Sequence, residues 1–332
     1  MLPAVNKNGL VHSPVGPPRI EPVPEGVSRP LWSVMIPTFN CAKYLRQTLD
    51  SVLRQDPGEG QMQIEVVDDC STQDDPEAVV HETGKGRVAF HRKPKNEGAI
   101  ANFNTCLQRS RGHLVHVLHG DDYVLPGFYA RLAEMEKKYP DVAGFFVRCL
   151  VVDENGSLDR ISGKVQQLAE PSNAPGDLLY VNNLMAPGAV IRRDFYETHG
   201  GFMPSLIHVA DWEMWTRAVQ SGRGLWLNEP LAAYRYFPGN DTGRLARTAE
   251  NLRDVLRLGA IFAANFDGFD PHRFRVVIAR RAQYQKRSFV QAGDKVAAEA
   301  NDKLWRELTP WPLRWGSCLR SLVLSGSKWN EP

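Results

Sequence analysis

The apolar positions of the first 125 residues fall in blocks whose period switches repeatedly between that of a strand and that of a helix. Residues 32–36 form a short apolar run stopped by Pro37, the pattern of a buried strand. Over residues 42–55, Tyr44, Leu45, Leu49, Val52 and Leu53 recur at the spacing of an amphipathic helix, with Asn40 placed to cap it. Residues 63–67 read as a second strand ending in Asp68-Asp69, 74–81 as a short helix, and 88–91 as a third strand. A helix over 98–110 and a fourth strand over 114–118 follow, the strand running into Gly120-Asp121-Asp122. This rhythm predicts an α/β fold with a mostly parallel sheet flanked by helices. Ligands of such sheets bind at the carboxyl ends of the strands. Those ends are Pro37-Thr38-Phe39-Asn40, Asp68-Asp69-Cys70-Ser71 and Gly120-Asp121-Asp122, so polar residues gather where a ligand is expected.

The second half is less regular. The pattern predicts a helix over 127–138, a strand over 143–152 with a hairpin turn at Asn155-Gly156, and a strand over 185–191. Helices over 193–199 and 211–221 are closed by Gly200 and Gly222, and a strand covers 231–237. From 242 to about 308 the pattern is helical throughout. The expected organisation is a disordered or loosely packed arm over 1–30, an α/β domain over 31–240, and a helical extension over 241–332 that ends in a basic and aromatic tail.

Composition narrows the classes. The 332 residues are 42% hydrophobic and 23% charged, ordinary for a globular protein, and the formal net charge of +2 points to no nucleic acid or other bulk polyanion. No apolar run approaches the roughly 18 residues needed to span a bilayer. Five scattered cysteines (Cys41, Cys70, Cys106, Cys149, Cys318) argue against a disulfide framework or a structural zinc site, and a reducing cytoplasm is the expected home. Arg273, Arg275, Arg280, Arg281, Lys286 and Arg287 lie in a stretch without an acidic residue, followed by Trp311, Trp315 and Trp329 among Arg314, Arg320 and Lys328. Basic and aromatic residues together suit peripheral contact with an anionic membrane, although a solvated helix face and tail have the same composition.

Several residues carry possible chemistry. Adjacent carboxylates at a strand end, as in Asp121-Asp122, repel each other unless solvated or bridged by a cation, and a hard divalent ion shared with substrate phosphates is one solution. Asp68-Asp69 supplies acceptors suited to the ring N–H of a uracil or a ribose hydroxyl, as well as to helix capping. Asp211 opens a helix whose dipole favours its ionised form, which suits either an N-cap or a general base, and Trp212 and Trp215 beside it could stack on sugar rings. His113, His116 and His119 would align on a helix but alternate on a strand, so they are not read as a metal site, and only His119 is placed to influence Asp121. Residues 84–89 match G-x-G-x-x-A, but they follow a helix and open a strand and are read as a turn.

In order and spacing these motifs resemble those of the family-2 glycosyltransferases, whose fold is of the GT-A type, a Rossmann-like α/β sheet flanked by helices. The resemblance runs from about Trp32 to about Phe237. It rests on Pro37-Thr38-Phe39-Asn40, on Val66-Val67-Asp68-Asp69-Cys70-Ser71, on Asn96-Glu97-Gly98 with Asn102-Phe103-Asn104, on His119-Gly120-Asp121-Asp122, on Ala210-Asp211-Trp212 and on Tyr234-Arg235. It implies an inverting transfer from a nucleotide-diphosphate sugar, with a UDP-sugar favoured, to a hydroxyl acceptor that is a saccharide, a lipid-linked group or another alcohol. Residues 31–125 are then the nucleotide-binding half and 126–240 the acceptor half, including Met185-Ala186-Pro187-Gly188 and the Trp212/Trp215 pair. Pro37, Thr38, Asn40, Asp69, Asn96 and Asp121 are the expected nucleotide contacts, Asp122 the ligand of a Mn²⁺ or Mg²⁺ ion, and Asp211 the catalytic base.

Three positions depart from the family's pattern. His119 stands where Asp is frequent, Ala210 where Glu usually precedes the base, and Phe237 where His often follows Tyr-Arg. The metal shell then rests on Asp122 alone or borrows His208 or Asp241. The alternatives are a nucleotide-binding relative without turnover and a sugar-phosphate nucleotidyltransferase. The second normally needs a Gly-rich basic loop after the first strand, where this chain has Pro37-Thr38-Phe39-Asn40.

Overall fold

The structure, a computed structural model, describes residues 16–163, 170–237 and 239–309. They divide into two compact units. One comprises residues up to 204 together with 210–235, the other residues 205–209 with those from 236 onward.

The first unit is built on one nine-stranded sheet. Its elements in chain order are β1 (Trp32–Thr38), α1 (Ala42–Leu53), β2 (Met62–Asp68), α2 (Pro76–Gly84), β3 (Ala89–Arg92), α3 (Ala99–Arg109), β4 (Leu114–Val117), β5 (Tyr123–Val124), α4 (Phe128–Lys138), β6 (Gly144–Val152), β7 (Leu158–Ile161), β8 (Ala189–Arg192), α5 (Arg193–His199), α6 (Ala210–Gly222) and β9 (Gly224–Arg235). The strand order is β3-β2-β1-β4-β8-β6-β9-β5, with β7 paired to β6. β1 and β2 are buried along their whole length, as parallel strands covered on both faces must be. Val34, Ile36, Ile64 and Val66 meet Leu45, Leu49 and Val52 of α1 in the core. Local chemistry sets the ends: Asp75 caps α2 by accepting the Ala78 N–H at 3.1 Å, with Pro76 in the first turn.

The first four long strands pair in parallel, as the alternation predicts, whereas β8, β5 and β7 join antiparallel, so the complete sheet is mixed. Three readings change. The strand expected at 185–191 starts at Ala189, because Pro187 lies in a single 3₁₀ turn over Ala186–Gly188. β9 begins at Gly224 rather than at residue 231. The polar Asn228-Glu229-Pro230 interrupts its apolar pattern and is absorbed by register shifts against β6 around Arg148. Asn40 does not cap α1, whose first residue, Ala42, instead donates its N–H to Asp74 at 2.7 Å. Of the N-terminal segment, residues 16–30 are held against this unit: Ile20 is buried, Gly201 donates to Pro18 O at 2.8 Å, and Arg193 to Glu21 O at 3.1 Å.

The second unit is helical: α7 (Asp241–Arg247), α8 (Glu250–Asn265), α9 (Pro271–Gln291) and α10 (Lys295–Leu308). Leu258, Phe262, Phe274, Ile278 and Leu304 are buried in it. The buried Asp254 accepts the N–H groups of His208 at 2.7 Å and Val209 at 3.1 Å. Among the described residues no helix is long and apolar enough to cross a membrane. The tail tryptophans and Cys318 lie outside the described residues.

His116 shows why the histidine triplet is not a metal site. It is fully buried, stacked on Phe128, and its ring nitrogens face Tyr129 Oη at 3.2 Å and Pro187 O at 3.0 Å. Burial pushes its pKa down to about 3. A histidine neutral in the fold and charged when unfolded takes up a proton on unfolding, so its contribution to stability is lost as pH falls from about 6.5 towards 3. His116→Gln is therefore expected to flatten the acid side of a melting-temperature profile between pH 6.5 and 4, and a profile of unchanged steepness would show that other groups dominate acid unfolding.

Candidate active site

Because β1, β2 and β4 run parallel, their carboxyl ends lie on one edge of the sheet, where backbone bonds tie the loops together. Asp69 N–H donates to Thr38 O at 2.9 Å and Gly120 N–H to Pro37 O at 3.0 Å. A Cβ on Gly120 would come within 2.9 Å of Cys41 Sγ and 3.0 Å of Thr38 Oγ1, so the turn into the acidic pair has no room for a side chain. Thr38 Oγ1 and Cys41 Sγ are 2.6 Å apart. Burial, and after it the Asp121 charge, push the Cys41 thiol up to about 12, which keeps it neutral.

The second strand end is organised around two buried carboxylates. Asp68 accepts from Ser71 and from Arg92 Nε at 2.7 Å. Asp69 Oδ1 accepts from Lys93 Nζ at 2.7 Å and Glu97 N–H at 3.1 Å, and Oδ2 from Gly98 N–H at 2.8 Å. The Glu97 N–H also reaches Oδ2 at 3.2 Å, and Asp69 thus fastens the start of α3 to β2. Lys93 is 4% exposed. Burial opposes its charge, but Asp69 and Glu97 hold the ammonium above the ordinary lysine range. Asn40, in the left-handed region at φ 49°, accepts the Thr72 and Gln73 N–H groups at 2.9 and 3.1 Å and so braces the neighbouring loop. Asn96 accepts the Gly98 N–H at 3.1 Å in the loop that leads into α3.

The third strand end holds the acidic pair. Asp122 is 1% exposed. Its Oδ1 accepts the Arg235 backbone N–H at 2.8 Å, and Thr48 Oγ1 donates to its carbonyl at 2.7 Å. Its Oδ2 is buried without a hydrogen-bond partner. Burial, followed by the Asp121 charge, holds the Asp122 carboxyl well above the usual carboxylate range. His119 Nδ1 lies 3.8 Å from that oxygen, and the ligand atoms of His119, Asp121 and Asp122 all fall within 4.8 Å of one another. An orphaned buried oxygen among three potential ligands is what a divalent cation would satisfy, and the cation would also reverse the penalty on ionising Asp122. His208 and Asp241 belong to the helical unit.

Asp211 occupies the first turn of α6, partly exposed, with Oδ1 accepting the Trp212 N–H at 2.6 Å. The expectation that Trp212 and Trp215 stack on sugars fails. Trp212 is 1% exposed and donates Nε1 to Leu178 O at 2.6 Å, and Trp215 packs against Phe146 and Phe202. Both rings anchor α6 in the core. Glu213 is buried and doubly bonded to Arg217 at 2.8 and 3.0 Å.

Two residues of the site escaped the sequence reading. Lys93 lay outside every element and motif read from the sequence. Arg235 looked like strand residue alone, yet its guanidinium reaches Asp121 O at 3.0 Å, Asp153 O at 3.0 Å, Glu154 O at 3.1 Å and Gln47 Oε1 at 2.6 Å. The Tyr234-Arg235 motif was the available signal for Arg235.

A parallel nucleotide-type half sheet continued by mixed strands, with an acidic pair at the end of β4, defines a GT-A glycosyltransferase that uses a nucleotide sugar. Residues 33–200 match the sequence profile described as Glycosyl transferase family 2, and the chain belongs to that family. An uncharacterised glycosyltransferase of Mycoplasma genitalium is 27% identical over 65% of this chain and 71% of its own length. The poly(ribitol-phosphate) β-N-acetylglucosaminyltransferase TarS of Staphylococcus aureus is 23% identical over 78% of this chain, which spans 44% of that protein. Among solved structures, TarS residues 1–349 in complex with UDP-GlcNAc superpose with a TM-score of 0.53 at 16% identity, covering 84% of this chain and 93% of that one. A mannosyltransferase of Pyrobaculum calidifontis in complex with GDP-Man and Mn²⁺ gives 0.53 at 17% identity, over 92% and 83%.

Proposed function

We propose that the chain catalyses inverting transfer of a sugar from a UDP-sugar to a hydroxyl acceptor in cell-surface polysaccharide or glycolipid synthesis. The single observation that carries the reading is the buried, unpartnered Oδ2 of Asp122 beside His119 and Asp121. In this reading Asp122 holds Mn²⁺ or Mg²⁺, which when bound offsets charge on the departing diphosphate. Pro37, Thr38, Asn40 and Asn96 line the nucleotide loop, Asp69 accepts from the base, and Asp121 holds the ribose or a metal-bound water. Asp211 takes the proton of the attacking hydroxyl. Residues 31–125 bind the donor, 126–240 shape the acceptor site, and the helical extension from 241 is accessory. A UDP donor is supported by the UDP-GlcNAc bound to TarS and a polymeric acceptor by that relative's name, whereas GDP-Man in the mannosyltransferase is the competing precedent. The outer face of α9, where Arg280 and Arg287 accompany the 59%-exposed Tyr284, supports peripheral contact with an anionic membrane.

A ligand that binds only the native state at a hundred times its Kd stabilises it by about 2.7 kcal/mol. UDP with Mn²⁺ is therefore expected to raise the melting temperature by about 5 °C. Asp122→Ala should remove the metal-dependent part of that shift. Equal shifts with and without metal, in wild type and variant alike, would exclude Asp122 as the ligand.

A further inference from the structure

We infer that His119 is a direct ligand of the divalent ion, sharing it with Asp122, and that this nitrogen donor makes the site select Mn²⁺ over Mg²⁺. The inference rests on the proposal above that a metal binds here, and concerns which residues hold it and which ion they prefer. Asp122 can offer one oxygen only, because Oδ1 is committed to the Arg235 N–H at 2.8 Å while Oδ2 is buried and unpartnered. His119 Nδ1 faces that Oδ2 at 3.8 Å, too far for a hydrogen bond. An ion about 2.1 Å from each donor atom spans separations up to about 4.2 Å, so the pair is spaced to share one with little movement.

The imidazole is also held ready. Phe103 stacks on it with centroids 4.8 Å apart and planes 16° from parallel. Phe103 is itself fixed edge-on to Phe202 at 5.5 Å. The adjacent Asn104 locks the Phe202 backbone in both directions, accepting its N–H at 2.8 Å and donating to its carbonyl at 2.9 Å. With Nδ1 as the ligand atom the ring proton resides on Nε2. Imidazole nitrogen suits first-row transition ions, whereas Mg²⁺ favours an all-oxygen shell. The Asp that the family often places at this position would give such a shell, so His119 changes the selectivity without removing the site.

The test uses the full chain with saturating UDP. Mn²⁺ and Mg²⁺ affinities are measured by calorimetry for wild type, His119→Asp, His119→Ala, Phe103→Leu and Asp122→Asn, and the Mn²⁺ complexes are examined by pulsed EPR for nitrogen hyperfine coupling. Wild type should prefer Mn²⁺ by about tenfold or more and show the coupling of a bound imidazole. His119→Asp should erase that preference, and both His119 variants should lose the coupling while still binding Mn²⁺ through Asp122. Phe103→Leu should weaken Mn²⁺ by about tenfold yet keep the coupling, because it loosens the ligand without replacing it. Undiminished coupling or an unchanged Mn²⁺/Mg²⁺ ratio in His119→Asp overturns the inference and leaves the Asp122 site standing. Failure of wild type to bind either ion, or full retention of both by Asp122→Asn, overturns the site and the inference with it.

Discussion

Asp211→Asn is expected to fold and to bind UDP as the wild type does while losing at least about a hundredfold in transfer rate. The carboxylate lies in the first turn of α6, where the helix dipole favours the ionised form that a general base must have. Its hydrogen bond from the Trp212 N–H is kept by the carbonyl of Asn, which caps helices about as well as Asp. The helix is held independently by Trp212 and Trp215 in the core. The capacity to accept a proton disappears, and general-base catalysis is typically worth about 10²–10⁴ in rate, or roughly 3–5 kcal/mol of barrier. Steady-state transfer and UDP-induced melting shifts, measured side by side, decide the matter. A variant that transfers at near wild-type rate clears Asp211 of the role. Glu213 would be a poor replacement, because it is buried and both its oxygens are engaged by Arg217. Joint loss of stability and nucleotide binding would make Asp211 structural.

How much of this could be read from the chain depended on whether the responsible contacts are local. β1, β2 and β4 are short, largely apolar runs with Pro37-Thr38, Asp68 and the turn at Gly120 at their carboxyl ends, and α1, α3 and α4 carry their buried residues at helical spacing, so the nucleotide-type half was legible. The first part of β9 was not, because Asn228-Glu229-Pro230 looks like a loop and becomes strand only through pairing with β6, which tolerates the irregularity by shifting register. β5 has two residues and leaves no periodic trace. At the site, the acidic strand ends stood out because chemistry and position coincide. The aromatic residues of α6 misled, since a Trp next to a candidate base has the same sequence signature whether it faces a ligand or the core. Asn40 misled for a related reason: an amide before a helix can cap it or brace another loop, and here the partners are Thr72 and Gln73, brought near by the β1–β2 pairing.

Arg235 is the residue whose importance was least visible, since its partners come from three separate stretches of chain, and its replacement should have the largest effect on stability. Arg235→Met keeps a long apolar stem over the Tyr44 ring, 4.6 Å from the present guanidinium, but removes every side-chain donor. The carbonyls of Asp121, Asp153 and Glu154 and the Gln47 amide oxygen then lose their partner at a position that is 2% exposed. Each buried acceptor left unsatisfied costs about 1–3 kcal/mol, and relief of the desolvated charge offsets part of the sum. A net loss of about 3 kcal/mol or more follows, seen as a fall in melting temperature on the order of 5–10 °C. The acidic pair should suffer a second, separable effect. The Arg235 backbone N–H still reaches Asp122, but the nearby positive charge that helps Asp122 ionise is gone, so metal-dependent stabilisation by UDP should shrink further than the loss of stability alone explains. Arg235→Lys distinguishes the two, because an ammonium restores charge without the planar fork that reaches several carbonyls at once. Lys should recover part of the metal response and little of the stability. Wild-type melting in Arg235→Met, or full recovery of both properties in Arg235→Lys, would show that the guanidinium does not hold the Asp121–Asp122 turn in place.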